Sequence, residues 1–348
     1  MTPLPKVRGR RPAKVAAGAA LAVALAGVVA ACGSSSSADS ASGGSDMSLV
    51  GYSTPGPAYT DSLIPAFQKT SQGSGAHLST SFGASGDQSR AVESGQPASV
   101  VHFSILPDME RLVDDGIVDK SWDQNPYHGF VEDSVVTFVV RKGNPKGITS
   151  WDDLVKPGVE VVTPNPFSSG SAKWNLMAAY GAQIEEGKSP AQAQAFLQQL
   201  LKNTVVQPAS GSDALSTFQA GKGDVLLSYE NDAIAAKKDD PGAVDYVTPD
   251  DTILIQTPLA ATKDAPTQAQ DFVKWEYTPE AQQLWADNGY RPVVKSVFEK
   301  NKSKFTDPSN IFTIDKLGGW DKVDVQFFDP TNGIVTKDEQ DLGVSVSG

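Results

Sequence analysis

The feature that most constrains the fold is a repeated alternation of short apolar runs with segments of helical spacing. Strand-like runs cover Met47 to Tyr52, His77 to Phe82 and Ser99 to Phe103, and a helical pattern follows each of them. This βαβ rhythm predicts an α/β protein with a largely parallel sheet. A second series begins with the run from Ser134 to Val140 and predicts a second α/β lobe.

The later segments complete the predicted second lobe and then return the chain to the first. The second lobe is predicted to contain strands at 159–163, 204–206 and 224–228 and helices at 172–180, 189–201 and 213–220. The return consists of an extended stretch at 252–260 and helices at 267–277 and 279–288, which begin with Thr or Pro. From residue 301 onward the sequence is aromatic and acidic, and we expect an irregular tail that wraps the body.

The first 31 residues resemble a signal peptide. They contain five basic residues and no acidic one, followed by an apolar run of 17 residues from Val15 to Ala31. Cys32, the only cysteine, follows a Val-Ala-Ala sequence that resembles a bacterial lipobox. We therefore predict lipidation of Cys32 and an extracytoplasmic body anchored to the cell membrane, and an uncleaved apolar anchor is the alternative.

The charge of the chain excludes one class of partner. The formal net charge is −12, and loss of the five basic residues of the leader would make it −17. Nucleic-acid binding is disfavoured because affinity for phosphate backbones comes from basic side chains. The same charge would repel an anion in solution, so an anion site in this chain needs a local source of positive potential.

Three Ser/Gly-rich turns could supply that potential. They cover 82–88, 167–172 and 209–212, and each precedes a predicted helix. A helix N-terminus leaves its first N–H groups unpaired and carries a partial positive charge, so converging helix starts can hold an anion without Lys or Arg. The alternative is that the serines and glycines are only N-caps.

The sequence offers little evidence for catalysis. His77, His102 and His128 lack metal-site spacing and are interpreted as structural, so no metal is predicted. No P-loop or dinucleotide motif is present, and no cofactor is predicted. We expect a protein that is not an enzyme. The alternatives are a secreted serine hydrolase that uses Ser169, which lacks the Gly-x-Ser-x-Gly elbow, and a lipoprotein with only a structural or signalling role.

Eight short motifs follow one another along the chain. They begin at Arg141, Trp151, Val162, Ser168, Lys173, Gly223, Tyr229 and Tyr290 (RKGNP, WDDLVKPG, VTPNP, SSG, KWN, GDVL, YEN, YRP). In this order they resemble a known family, the prokaryotic sulfate-binding and thiosulfate-binding proteins, over about Leu49 to Trp320. The resemblance implies the type II periplasmic-binding-protein fold, in which two α/β lobes close on a ligand that is then delivered to an ABC importer permease. It implies a monomer, and the lipoprotein leader resembles those of actinobacteria.

The resemblance also implies the binding residues for sulfate. Ser85, Ser169, Gly170, Ser171 and Gly211 would be backbone donors, with the Ser169 hydroxyl as a further donor. The family's indole donor falls on Tyr229, whose phenol is also a neutral donor. Ser53 is the seventh predicted binding residue. Three positions depart from the family: Ser53 replaces an Asp near the site, Ser171 replaces a second Gly, and Asp87 replaces a common Lys.

Protonation predicts the choice of ligand. A site made only of donors suits sulfate, whereas phosphate near neutral pH keeps a proton and needs an acceptor. Asp87, beside the Ser85 turn, is the one residue that could accept this proton. We predict sulfate, with thiosulfate as a second ligand and with molybdate and phosphate as alternatives.

These expectations divide the chain into six regions. They are a signal peptide (1–31), a flexible linker after the lipidated cysteine (32–47), the first part of lobe 1 (48–136), lobe 2 (137–247), the return of lobe 1 (248–300) and a C-terminal wrapping tail (301–348).

Overall fold

The computed structural model describes residues 45–347. The predicted signal peptide, Cys32 and most of the predicted linker lie outside these residues. Within 45–347, none of the helices combines the length and the apolar character needed to cross a lipid bilayer.

The strands form one mixed sheet with the order β2-β1-β3-β9-β4-β7-β5-β6. Short strands β8 and β10 pair with β4, and β11 pairs with β9. The strands are β1 (Asp46–Tyr52), β2 (His77–Gly83), β3 (Val100–His102), β4 (Phe130–Arg141), β5 (Val161–Val162), β6 (Thr204–Val206), β7 (Val225–Tyr229), β8 (Val244–Val247), β9 (Asp251–Ala261), β10 (Arg291–Pro292) and β11 (Asn310–Phe312).

Helices lie between the strands, as the βαβ pattern predicts. Single 3₁₀ or π turns cover 59–63, 302–304, 314–317 and 324–328. The helices are α1 (Gly56–Ala58), α2 (Ile64–Phe67), α3 (Ser85–Glu93), α4 (Leu106–Asp114), α5 (Trp151–Leu154), α6 (Gly170–Glu185), α7 (Pro190–Asn203), α8 (Gly211–Gln219), α9 (Glu230–Asp239), α10 (Thr267–Glu276), α11 (Pro279–Asp287), α12 (Lys295–Asn301), α13 (Gly319–Val323) and α14 (Ile334–Asp341).

Two long strands join two α/β lobes, which confirms the predicted fold class. Strands β1, β2 and β3 pair in parallel in one lobe, and β5, β6 and β7 pair in parallel in the other. Strand β4 pairs with β9 up to Val135 and with β7 from Val136 onward, antiparallel in both cases. The sheet is therefore less parallel than predicted, because the chain crosses between the lobes on antiparallel strands.

Strand β4 is also longer than its apolar run indicates. The sequence predicts a strand from Ser134, whereas the strand begins at Phe130 and includes Glu132 and Asp133. Glu132 is fully buried. Acidic residues interrupt the apolar pattern from which a buried strand is predicted, so the start of this strand could not be located from hydrophobicity.

The C-terminal segment is more regular than the irregular tail predicted from residue 301. It contains helix α14, and its aromatic residues pack on α6: Trp320 lies edge-on to Trp174 at 4.7 Å, and Phe327 contacts Tyr180 at 4.8 Å between ring centroids. Near its end, the backbone carbonyl of Ser345 accepts a hydrogen bond from Asn165 Nδ2 at 2.9 Å. Burial of its aromatic face on lobe 2 orders this segment.

Candidate functional site

All three Ser/Gly-rich turns lead into helices, as predicted. Helix α3 begins at Ser85, α6 at Gly170 and α8 at Gly211, and each has at least nine residues. These turns follow the carboxyl ends of β2, β5 and β6, which is the edge where open α/β sheets bind ligands. Their extended N-cap residues direct the first N–H groups of each helix out of the turn.

The three helix starts converge across the boundary between the lobes. The backbone N–H of Gly86 in lobe 1 donates to the carbonyl of Ser168 in lobe 2 at 3.0 Å. A Cβ at Gly211 would lie 3.1 Å from Ser171 Oγ, so the absence of a side chain lets α8 approach the first turn of α6. A Cβ at Gly170 would lie 2.9 Å from the Ser104 side chain, which comes from the other lobe.

Two serines of lobe 1 complete this arrangement. The Ser85 hydroxyl donates to Asp108 Oδ2 at 2.7 Å and accepts from the Ser104 N–H at 2.9 Å, which fixes the start of α3. Ser53 follows β1, and its hydroxyl accepts from the N–H of Ser212 in α8 at 3.3 Å. The structure thus places six of the seven predicted residues at the three converging helix starts.

Four backbone donors at these helix starts are buried and unpaired. The N–H groups of Ser85, Gly170, Ser171 and Gly211 have no hydrogen-bond acceptor within residues 45–347, and all four residues are buried. Buried backbone N–H groups are almost always paired in native proteins. A ligand with several acceptor atoms and no donor would satisfy them.

Two pairs of buried hydroxyls lie beside these donors. Ser169 Oγ and Ser171 Oγ are 2.7 Å apart, and Tyr229 Oη is 2.6 Å from Ser104 Oγ. A hydroxyl pair carries two protons but uses only one in its mutual hydrogen bond. Each pair therefore retains one proton, for which no other acceptor occurs in the described part of the chain. Burial raises the pKa of Tyr229 well above its usual value, so the phenol remains a neutral donor.

Asp87 and Lys173, in the first turns of α3 and α6, are paired with other charged residues. Asp87 forms a salt bridge with Arg90, one turn along α3, and both are partly exposed. Lys173 in the first turn of α6 pairs with Asp324 and lies 4.8 Å from the centre of the Phe328 ring, both in the C-terminal segment. The donors at the helix starts are therefore neutral, and their positive potential comes from the helix dipoles.

A layer of buried polar residues in the hinge strands lies behind the site. The Tyr52 ring is 6.3 Å from the Tyr229 ring between centroids, and its hydroxyl donates to Glu132 Oε1 at 2.7 Å. Burial raises the pKa of Glu132 to about 8, so this carboxyl is protonated at neutral pH. Burial also lowers the pKa of His102 to about 3, and its ring nitrogens are hydrogen-bonded to Tyr59 and Thr257.

Sequence reasoning missed Ser104 and Asp108. Ser104 lies just beyond the carboxyl end of β3, the same position that the predicted turns take relative to their strands, and this position was the available signal. Asp108 occupies the first turn of α4 and gives no sign of its contact with Ser85. Trp174 lies in a helical context typical of a core residue and is buried, and its indole N–H also donates to the Ser104 carbonyl at 2.7 Å.

Comparison with known proteins places this geometry in a family. Residues 48–291 match the model of the bacterial extracellular solute-binding proteins. The chain is 37% identical to the sulfate-binding protein of Synechococcus elongatus, over 89% of this chain and 92% of that protein. It is 32% identical to the thiosulfate-binding protein of Pseudomonas aeruginosa, over 76% of this chain and 83% of that protein.

A solved structure gives the same result. The sulfate-binding protein SubI from Mycobacterium tuberculosis superimposes with a TM-score of 0.78 at 46% identity, over 82% of this chain and 99% of that chain. Together with the sequence relatives, it confirms the family that the motifs indicated. The chain belongs to the bacterial extracellular solute-binding proteins and, among them, to the family of the sulfate-binding and thiosulfate-binding proteins.

Proposed function

We propose that this protein captures sulfate outside the cytoplasm and delivers it to an ABC importer. The observation that carries the proposal is the set of four buried, unpaired N–H groups at three converging helix starts, on residues Ser85, Gly170, Ser171 and Gly211. Such groups bind an anion through partial charges, which removes the conflict with the acidic composition of the chain. The relatives are named as binding proteins, in agreement with a protein that is not an enzyme.

The donor set favours sulfate over phosphate. Every site group described above can donate, and the carboxylate that could have accepted a phosphate proton, Asp87, is held by Arg90. Asp108 accepts from the Ser85 hydroxyl and from Arg111 at 3.1 Å. A protonated oxyanion could donate its proton only to a hydroxyl, in place of a hydrogen bond from that hydroxyl to the anion, at a cost of roughly 1–3 kcal/mol. Thiosulfate has no such proton and is the second candidate ligand, as one relative's name also suggests.

Calorimetry tests the proposal directly. We expect isothermal titration to show one site that binds sulfate, weaker or equal binding of thiosulfate, and at least tenfold weaker binding of phosphate; molybdate is titrated as the remaining alternative ligand. Thermal unfolding in the same anions gives an independent measurement, because a ligand that binds only the native state raises the melting temperature. The absence of heat with sulfate and with thiosulfate would contradict the proposal.

The contacts of Ser169 argue against the hydrolase alternative. Its hydroxyl is hydrogen-bonded to Ser171, and the buried His102 is bonded to Tyr59 and Thr257. A serine nucleophile needs a general base within hydrogen-bond distance, and no described residue near Ser169 provides one. The alternative in which the turns are only caps leaves the four unpaired N–H groups without a physical explanation.

The attachment and organisation of the chain form a second part of the proposal. We infer lipidation at Cys32 and a flexible linker that is shorter than predicted, since Asp46 and Met47 belong to β1. This linker would tether a monomeric body to the membrane near its permease. The change of pairing partner at Val136 supports a first lobe of 48–136 and 248–300 and a second lobe of 137–247. Release of Cys32→Ser into the soluble fraction tests the anchor, and size-exclusion chromatography tests the monomer.

A further inference from the structure

All three polar groups of Ser104 are hydrogen-bonded at the candidate site, and two of these bonds join lobe 1 to lobe 2. Its N–H donates to Ser85 Oγ in lobe 1, and its carbonyl accepts from the indole of Trp174 in lobe 2 at 2.7 Å. Its hydroxyl lies 2.6 Å from Tyr229 Oη, also in lobe 2. Ser104 is 1% exposed, so water does not compete for these bonds.

The backbone contacts fix the position of the Ser104 side chain, so only the direction of its hydroxyl proton can still change. The pair formed with Tyr229 has two protons and one mutual hydrogen bond, so one proton must point away from the pair. A phenol is the stronger acid of the two and the better donor to an anion. The stable arrangement with an anion present has Ser104 donating to Tyr229 and Tyr229 donating to the ligand.

We propose that Ser104 is a positioning residue for ligand binding, which orients the Tyr229 proton toward the anion and links that donor to contact between the lobes. The inference rests on the proposed function, since it assigns the role of one further residue in the same site. Gly170 supports it: a Cβ there would lie 2.9 Å from both Cβ and Oγ of Ser104, so the serine hydroxyl sits against the start of α6. A donor chain of two hydroxyls also polarises each member, which strengthens the terminal bond to the anion.

A double-mutant cycle measures this coupling. Sulfate affinity is determined by titration for the parent, Ser104→Ala, Tyr229→Phe and the variant that carries both changes. We expect Ser104→Ala to weaken binding roughly three- to tenfold and Tyr229→Phe roughly ten- to a hundredfold, the range for a hydrogen bond to a charged group. The combined variant should match Tyr229→Phe within about twofold, because Ser104 acts through the phenol proton.

The cycle separates action through Tyr229 from action through packing. If Ser104 acted only by packing against the start of α6, Ser104→Ala would weaken binding by the same factor in the parent and in Tyr229→Phe, and that additive result would overturn the inference. Ser134→Ala is the matched control, since Ser134 is also fully buried and donates to Asn231 at 2.9 Å; we expect its affinity to stay within about twofold of the parent.

Two further outcomes have defined meanings. Parent-like affinity in Ser104→Ala overturns the inference and leaves sulfate binding intact. A parent that shows no heat with sulfate overturns the proposed function, and the role of Ser104 with it. Melting temperatures without ligand are measured for all variants, and we expect Ser104→Ala and Ser134→Ala to remain folded at the titration temperature.

Discussion

The site and the hinge layer behind it both bury polar groups, but they deal with charge in opposite ways. At the site, neutral N–H and hydroxyl donors have no acceptor among the described residues, so a ligand must supply the negative charge that they would bind. In the hinge layer, carboxyls are buried and remain protonated, as at Glu132, or are paired inside the chain, as Glu230 is with Arg291. These two hinge carboxyls are neutralised within the chain, by a proton or by Arg291, whereas the donors of the site need an anion.

The largest expected effect comes from breaking the hinge ion pair. Arg291 donates twice to Glu230, at 2.6 and 3.1 Å, and both residues are buried. Arg291→Met removes the counter-ion of a buried carboxylate that still accepts from the N–H and the hydroxyl of Thr306. We expect this loss to destabilise the fold by about 3–5 kcal/mol in urea unfolding. The control is Lys304→Met, which breaks an exposed pair with Asp287 and should cost less than about 1 kcal/mol. Equal losses in the two variants would contradict the comparison.

The second effect is expected at the site and in binding, not in stability. Ser169→Ala removes a buried hydroxyl whose only described partner is Ser171. We expect sulfate affinity to fall by about 1.5–3 kcal/mol, as for other hydrogen bonds to charged groups, while urea unfolding without ligand changes little. An unchanged dissociation constant would show that Ser169 does not contact the anion.

The third prediction concerns pH and belongs to the hinge. Because the pKa of Glu132 is raised to about 8 in the folded state, the native protein binds more protons than the unfolded chain between pH 4.5 and pH 8. This stabilisation is complete below pH 4.5 and is lost as the pH rises toward 8. Glu132→Gln keeps the acceptor for Tyr52 and removes the titration.

Unfolding free energies at two pH values measure the contribution of Glu132 protonation to stability. Between pH 6 and pH 8 the parent should lose about 2 kcal/mol more than Glu132→Gln, since each pKa unit corresponds to about 1.4 kcal/mol. The lowered pKa of His102 makes the protein more stable as the pH rises, mainly at lower pH. Because His102 is present in both proteins, its contribution cancels in the difference between parent and variant. Identical slopes for parent and variant would show that Glu132 is ionised in the fold.

The smallest expected effect sharpens the account of ligand choice. Asp87 is partly exposed and paired with Arg90, so Asp87→Asn should change sulfate affinity by less than about 1 kcal/mol and leave phosphate binding weak. Titration of the variant with both anions measures this. A marked fall in phosphate affinity in Asp87→Asn would show that the carboxylate accepts a ligand proton after all.

The helix starts of the site were predictable from local chemistry, and the partners across the cleft were not. Ser/Gly turns after apolar runs located Ser85, Gly170 and Gly211, because strand ends and helix caps have short-range signatures. Ser104 reaches Tyr229 over 125 positions in the sequence, and the pairing of two hydroxyls has no such signature. The buried acids of the hinge were missed for the same reason, since Glu132 is tolerated only through distant Tyr52 and Thr257.

The contact of Ser345 with Asn165 has a practical consequence for labelling the protein. Asn165 also accepts hydrogen bonds from the N–H groups of Ser169 and Phe167 in the turn before α6. The C-terminal segment is therefore hydrogen-bonded to the residue that stabilises this turn. A fluorophore attached near Ser345 would sense movement of that turn. A sensor for extracellular oxyanions could therefore be built by labelling this segment, whereas purification tags are better placed before residue 45.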